Sequence, residues 1–233
     1  MQKPVCVVVG VGPGNGLALA KRWARAGHPV ALLARSAEHL AKYESQIPGT
    51  KSFVCDATDP GSVRDAYHAV RQQLGPVDTL LYNAGSGIWG GLSDIEASAM
   101  ERSFRVNALG LVLAAQHVVP EMVEAGQGTI GITGASAAWR GRPQTLAFAA
   151  AKAAQRSIAQ SLARELGPKG IHVFYMVLDG VVNLPRTRQN MPDKPDDFFI
   201  QPEHVAEAAW GVAQQSPSAW SFELDLRPFG ESW

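Results

Sequence analysis

The chain has 233 residues, 46% hydrophobic and 18% charged, enough for one α/β domain with a full core and too apolar for a disordered segment. Its 21 basic and 21 acidic residues cancel, so no net charge attracts nucleic acid or an anionic membrane surface, and a near-neutral surface favours association. No apolar run reaches the roughly 18 residues of a membrane span, and a glycine loop follows the first apolar stretch where a signal peptide would place its cleavage site, so a cytoplasmic protein is expected.

Residues 5–9, VCVVV, form a β-branched run that reads as a parallel strand buried on both faces. The loop GVGPGNG follows, with Gly10, Gly14 and Gly16, and then a helical pattern over 17–25. Strand, glycine loop and helix are the context of a dinucleotide-binding turn. The glycines let the backbone approach a pyrophosphate, and the helix start offers free N–H groups and a positive dipole end. Gly10, Gly14, Asn15, Gly16 and Leu17 are therefore candidate cofactor residues, set against a reading in which the glycines serve only the turn.

Residues 30–34 read as the second strand, with no acid at its end. Arg35-Ser36 stands where an acid would take the ribose hydroxyls of NAD. An arginine there can pair with a 2′-phosphate, which points to NADP(H) rather than NAD(H). The plainer reading of Arg35 is a solvent-facing residue opening the next helix.

A third strand over 51–54 leads to Cys55, Asp56 and Ala57, with Asp56 a candidate cap or turn residue before a helix near Pro60. A fourth strand over 77–81 runs into Tyr82-Asn83-Ala84-Gly85. Helical periodicity over 93–113 carries Asn107 at mid-helix, where asparagine has poor propensity; it is functional or it kinks the helix.

A fifth strand over 129–133, an Ala-rich helix over 146–166 and a sixth strand over 171–178 follow, then Asp179-Gly180. The Pro- and charge-rich segment 183–201 reads as the one irregular region, a lid or binding loop. A last helix from Pro202 and a strand over 221–226 complete seven strands and about six helices. That alternation predicts a single domain over 1–233, a doubly wound (Rossmann) parallel sheet with helices on both faces. Cys6, in the first strand, and Cys55, read as ending the third, belong to no Cys/His cluster and read as buried reduced thiols, with no metal site.

The stretch 131–152, GITGASAAWRGRPQTLAFAAAK, resembles the catalytic segment of the short-chain dehydrogenase/reductase family. That family places Ser at a strand end, Tyr thirteen residues later and Lys four residues after the Tyr. Here Lys152 matches, Phe148 holds the Tyr position and Ala135 the Ser position. The GxxxGxG loop, YNAG in place of NNAG, and Asn107-Ala-Leu-Gly110 as the NxxG element extend the resemblance over nearly the whole chain.

The resemblance implies hydride transfer between NADP(H) and a carbonyl or alcohol on a small-molecule substrate. It places Asp56 and Ala57 at the adenine, and Asn83, Ala84 and Gly85 beside the cofactor and central strand. It places Gly180 at the nicotinamide end, with Lys152 touching both cofactor and chemistry, and Asn107 in a water relay to Lys152. It puts the substrate loop at about 183–202 and packs the helix 146–166 across a homodimer or homotetramer interface.

Phe148 lacks the general acid and Ala135 lacks the second hydroxyl. Such losses forfeit about 10²–10⁴-fold and about 10²–10³-fold in rate. A working enzyme would therefore draw its proton from Lys152, Ser136, Tyr175 or a relay water. The alternative is a noncatalytic NADP(H)-binding sensor or regulatory protein. Retention of Arg35, Asp56, Asn107 and Lys152 together speaks against a purely structural subunit. Trp89, Trp139, Phe148, Met191 and Phe198 are candidates for an apolar substrate pocket, or for packing.

Overall fold

The apolar run at the start of the chain becomes β1 (Val5–Val9), buried along its whole length. The structure is a computed structural model and describes residues 3–231. Helix α1 (Asn15–Arg25), strand β2 (Val30–Ala34), helix α2 (Ala37–Gln46), strand β3 (Thr50–Val54), helix α3 (Pro60–Leu74) and strand β4 (Val77–Tyr82) follow. Helices α4 (Ala97–Phe104) and α5 (Gly110–Ala125) are joined by a π turn over Arg105–Leu109. Then come β5 (Gly128–Thr133), α6 (Leu146–Leu166), β6 (Ile171–Leu178), β7 (Val181–Val182), α7 (Pro185–Asn190), β8 (Phe199–Ile200), α8 (Pro202–Ala213) and β9 (Glu223–Leu226).

Seven strands form one sheet in the order β3-β2-β1-β4-β5-β6-β9, and every pairing is parallel. The expected doubly wound sheet is thus observed. The chain winds outward from β1 in one direction and from β4 in the other, so the C-terminal ends of these two strands diverge into a crevice.

Successive side chains of a strand face opposite sides, and each side of this sheet has its own core. Val7, Leu80, Ile130 and Tyr175 pack with Tyr67 of α3, Leu111 and Val118 of α5 and Ala159 of α6. Val8, Leu32, Leu81 and Phe174 pack with Trp23 of α1, Leu40 of α2 and Ala206 of α8. The helical run 97–125 is long and apolar enough to cross a membrane by length and composition. Its residues Ala108, Leu111, Ala114, Val118 and Met122 are nevertheless buried within this fold.

Three expectations are revised. The helix expected over 93–113 begins at Ala97 and is interrupted by the π turn at Asn107. Cys55 lies just beyond β3 rather than within it, although both thiols are free and buried as expected.

The segment 183–201 is not irregular. Strands β7 and β8 pair in parallel across it, with α7 between them. Asn183 ties the segment together: its Nδ2 donates to Gln201 Oε1 at 2.7 Å and its Oδ1 accepts from Arg188 Nε at 2.7 Å. Arg188 also reaches Asp196 at 2.6 Å and lies over the Phe199 ring. Paired side chains at irregular separations, from five to eighteen residues, leave no periodicity, which is why composition alone reads as a loop.

Candidate functional site

The crevice beyond β1 and β4 is a cavity of about 760 Å³. It is lined by Gly10, Arg35, Ser36, Asp56, Ala57, Asn83, Ala84 and Gly85, all named from the sequence as cofactor residues. His39, Thr58, Ser86, Arg102 and Arg105 line it as well and had not been singled out. The two arginines sit at the junction of α4 and the π turn.

Each lining residue is placed by local chemistry. Gly10 has φ +85°, and a Cβ there would lie 2.5 Å from the Ala84 backbone, so glycine is required where β1 and β4 converge. Asn83 Nδ2 donates to the Gly10 carbonyl at 2.8 Å, which locks the two strand ends together; this is a structural task. Ser36 caps α2 by accepting the His39 N–H.

Asp56 makes a tight turn, accepting from the Thr58 N–H at 2.9 Å and the Thr58 hydroxyl at 2.8 Å, while Asp59 caps α3. The Thr58 backbone bond, helped by its hydroxyl and by Arg35, holds the Asp56 carboxyl below its ordinary range against a smaller opposing effect of burial.

The other glycine-loop candidates, Gly14, Asn15, Gly16 and Leu17, are not among the residues that line the crevice. A side chain at Gly14 would meet Leu184 of the 183–201 segment, so that segment packs directly onto the loop. Gly16 packs against the Gly10 carbonyl, and Leu17 donates its N–H to Gly12. Asn15 is buried in the first turn of α1, with its Oδ1 unpartnered. Gly180 lies beyond β6 against Pro228 and Ile200. The preceding Asp179 is buried between Arg140 and Arg227, each at 3.6 Å.

Gly85 connects the crevice to the catalytic segment. A Cβ on it would lie 3.0 Å from Asn107 Oδ1 and 3.7 Å from Lys152 Nζ. Asn107 is fully buried in the π turn, and its Nδ2 donates to the Ser103 carbonyl at 2.9 Å and the Ser86 carbonyl at 3.2 Å. It therefore sits where the helix deforms, with its Oδ1 beside Gly85. A π turn frees main-chain carbonyls from the helical ladder. Val106 O accepts the Tyr82 hydroxyl at 2.6 Å, and Asn107 O accepts Gln155 Nε2 at 2.8 Å.

Lys152 is 5% exposed. Its Nζ donates to Thr133 O at 2.8 Å and to Gln155 Oε1 at 2.9 Å. Burial depresses this amine from 10.5 to about 7. A group with that value gains and loses a proton near neutrality, which suits acid–base work. The Phe148 ring centroid is 6.0 Å from Nζ and packs on Trp89 at 5.1 Å, giving the amine an apolar wall.

Ala135 continues β5 in extended conformation, and Ser136, half buried, opens the short turn Ser136–Ala138. Ser136 is not among the partners of Lys152 Nζ. Tyr175 is fully buried, its hydroxyl 3.4 Å from Gln155 Oε1, and burial pushes it well above its ordinary value. It is a core tyrosine behind the lysine. Of the other proposed pocket residues, Trp89 is 60% exposed, and Trp139 and Met191 are also exposed at the surface. Phe198 packs on Phe199. Gln155, a fully buried amide one turn beyond the lysine on α6, was also missed by sequence reasoning.

The crevice suits a nucleotide. It is roomy, has guanidinium groups among a mixed polar and apolar lining, and contains the buried Ser86 hydroxyl without a partner.

Residues 4–195 match the short chain dehydrogenase family model. An oxidoreductase of Sarocladium schorii, asL5, is 31% identical over 168 residues, 72% of this chain and 68% of that protein. A short-chain dehydrogenase from Rhodopseudomonas palustris superposes with TM-score 0.83 at 29% identity, over 97% of this chain and 99% of its own. An NADPH-bound short chain oxidoreductase from Pseudomonas aeruginosa PAO1 containing an atypical catalytic center has the same fold, with TM-score 0.90, 23% identity and coverage of 99% and 98%. Strand order, crevice and sequence match agree, and the chain belongs to the short-chain dehydrogenase family of oxidoreductases.

Proposed function

We propose that this protein is an NADP(H)-linked oxidoreductase acting on a carbonyl/alcohol pair, with Lys152 carrying the proton that the family normally assigns to tyrosine. The observation behind this reading is the junction at Gly85, where the nucleotide-sized crevice meets a buried lysine that titrates near neutrality. When bound, the nicotinamide supplies or accepts the hydride.

In this reading Arg35 takes the 2′-phosphate, Asp56 and Ala57 face the adenine, and the loop from Gly10 to Leu17 faces the pyrophosphate. Asn83, Ala84, Gly85 and Gly180 flank the remainder. NADPH in the Pseudomonas relative is consistent with this preference. Lys152, as ammonium, donates a proton to the oxygen of a carbonyl being reduced, and as free amine it accepts one from an alcohol. Phe148 and Trp89 keep water from the amine, which strengthens every charge interaction there. Ser136 supplies the second hydroxyl that Ala135 lacks.

The segment 183–202 closes over the substrate, with Leu184 already seated on the glycine loop. The outward stripe Ala150, Ala153 and Ser157 of α6 is exposed and serves as the contact of a dimer or tetramer in the cytoplasm.

The test is NADPH consumption with a panel of reactive carbonyls. The unmodified protein should turn over and Lys152→Met should not. Phe148→Tyr with Ala135→Ser should add two or more orders of magnitude. Turnover by the double variant alone would overturn the proposal.

A further inference from the structure

Gln155 stands outside every role assigned above, yet its side chain touches three members of the buried network. It lies one turn beyond Lys152 on α6 and is 0% exposed. Nε2 donates to Asn107 O at 2.8 Å, and Oε1 accepts from Lys152 Nζ at 2.9 Å and from the Tyr175 hydroxyl at 3.4 Å. The amide has only one workable orientation. Asn107 O can only accept, so the nitrogen must face it and the carbonyl must face the amine.

We infer that Gln155 is a positioning residue whose amide clamps Lys152 Nζ to the π turn at Asn107 and fixes the direction of the amine's remaining hydrogen. The reading of Lys152 as the proton carrier underlies its functional meaning. Thr133 O and Gln155 Oε1 take two of the three ammonium hydrogens. The third is left toward Gly85 and the crevice, beside the unpartnered Asn107 Oδ1. An amide neither gains nor loses a proton near neutrality, so Gln155 holds the carrier and does not itself relay.

The same contact sets the balance of the amine. Both neighbours present carbonyl dipoles, which favour ammonium and oppose the burial that disfavours it. The ionisable groups packed nearby are Tyr175 from β6, kept protonated by burial, and the Arg156–Glu223 pair joining α6 to β9. Removing Oε1 should weaken the ammonium form, and replacing the amide by a carboxylate should strengthen it.

The decisive measurement is an NMR titration of [¹³Cε]lysine-labelled protein, with the Lys152 signal identified by its loss in Lys152→Met. Gln155→Leu should move the midpoint down by about one unit and Gln155→Glu up by a similar amount. A purely structural glutamine would change the melting temperature and leave the midpoint in place; that result in either folded variant overturns the inference. Should Gln155→Leu not fold, Gln155→Glu, which keeps length and shape, decides alone. The kcat profile should follow the same shifts with KM for NADPH unchanged. Absence of turnover would remove the oxidoreductase reading and leave the titration result standing, so the two failures are separable.

Discussion

A lysine taken from 10.5 to about 7 by burial is a linkage element as well as a chemical group. Its folded value lies below its unfolded value, so the folded state binds fewer protons between the two. Stability therefore rises with pH across that window; below about pH 7 the full burial penalty is present, and above 10.5 it is gone. The two carbonyl contacts only moderate it. Chemical denaturation of the protein and of Lys152→Met should show this directly. The stability of the unmodified protein relative to the variant should increase by roughly 2 kcal/mol between pH 7 and pH 9. A constant difference would mean the amine titrates normally. Lys152, Phe148 and Ala135 were legible through the resemblance to the family's Ser–Tyr–Lys pattern, and the four-residue step places Phe148 and Lys152 on one helix face. Gln155 was not, because its partners lie on the π turn and on β6, and no periodicity links those elements.

The π turn explains why one element of the site holds its shape. Its carbonyls leave the helical ladder and are met by the Tyr82 hydroxyl and the Gln155 amide. Gly110 lets this happen, since a Cβ there would meet the Tyr82 hydroxyl and would lie 2.7 Å from the Ala57 carbonyl. Gly110→Ala is expected to destabilise by about 1–3 kcal/mol through overpacking. Tyr82→Phe is expected to lose about 1 kcal/mol by removing the part-buried hydrogen bond to Val106 O. The double variant should lose less than the sum by at least 0.5 kcal/mol, because the second change relieves part of the first. Strict additivity in urea unfolding would show that Tyr82 does not brace the turn. The asparagine signalled a break here, but the kind of break depends on a tyrosine from another strand. By contrast, α6 spans 146–166 as read from the sequence, since its alanine periodicity and glycine–proline stop are local.

At the scale of the whole molecule, the crevice joins parts that are far apart in sequence: β1 and its loop, the end of β2, the turn after β3 and the end of β4. The 183–201 segment closes against the same glycine loop through Leu184. A ligand bridging these parts in the folded state alone stabilises the whole chain by mass action, by about 2.7 kcal/mol at one hundred times its Kd. For a domain of this length that is a rise of about 5–10 °C in melting temperature. NADPH is expected to produce this rise at lower concentration than NADH. The rim carries Arg35 and no acid at the end of β2, and the Asp56 carboxyl is committed to its own turn. Arg35→Asp should reverse the order, because a carboxylate repels the 2′-phosphate and accepts from the ribose hydroxyls. Equal shifts by both nucleotides before the substitution would remove Arg35 as the determinant. Arg102 and Arg105 would then be the guanidinium groups of the same crevice to replace next, since a 2′-phosphate needs a cation and these are the remaining arginines that line it.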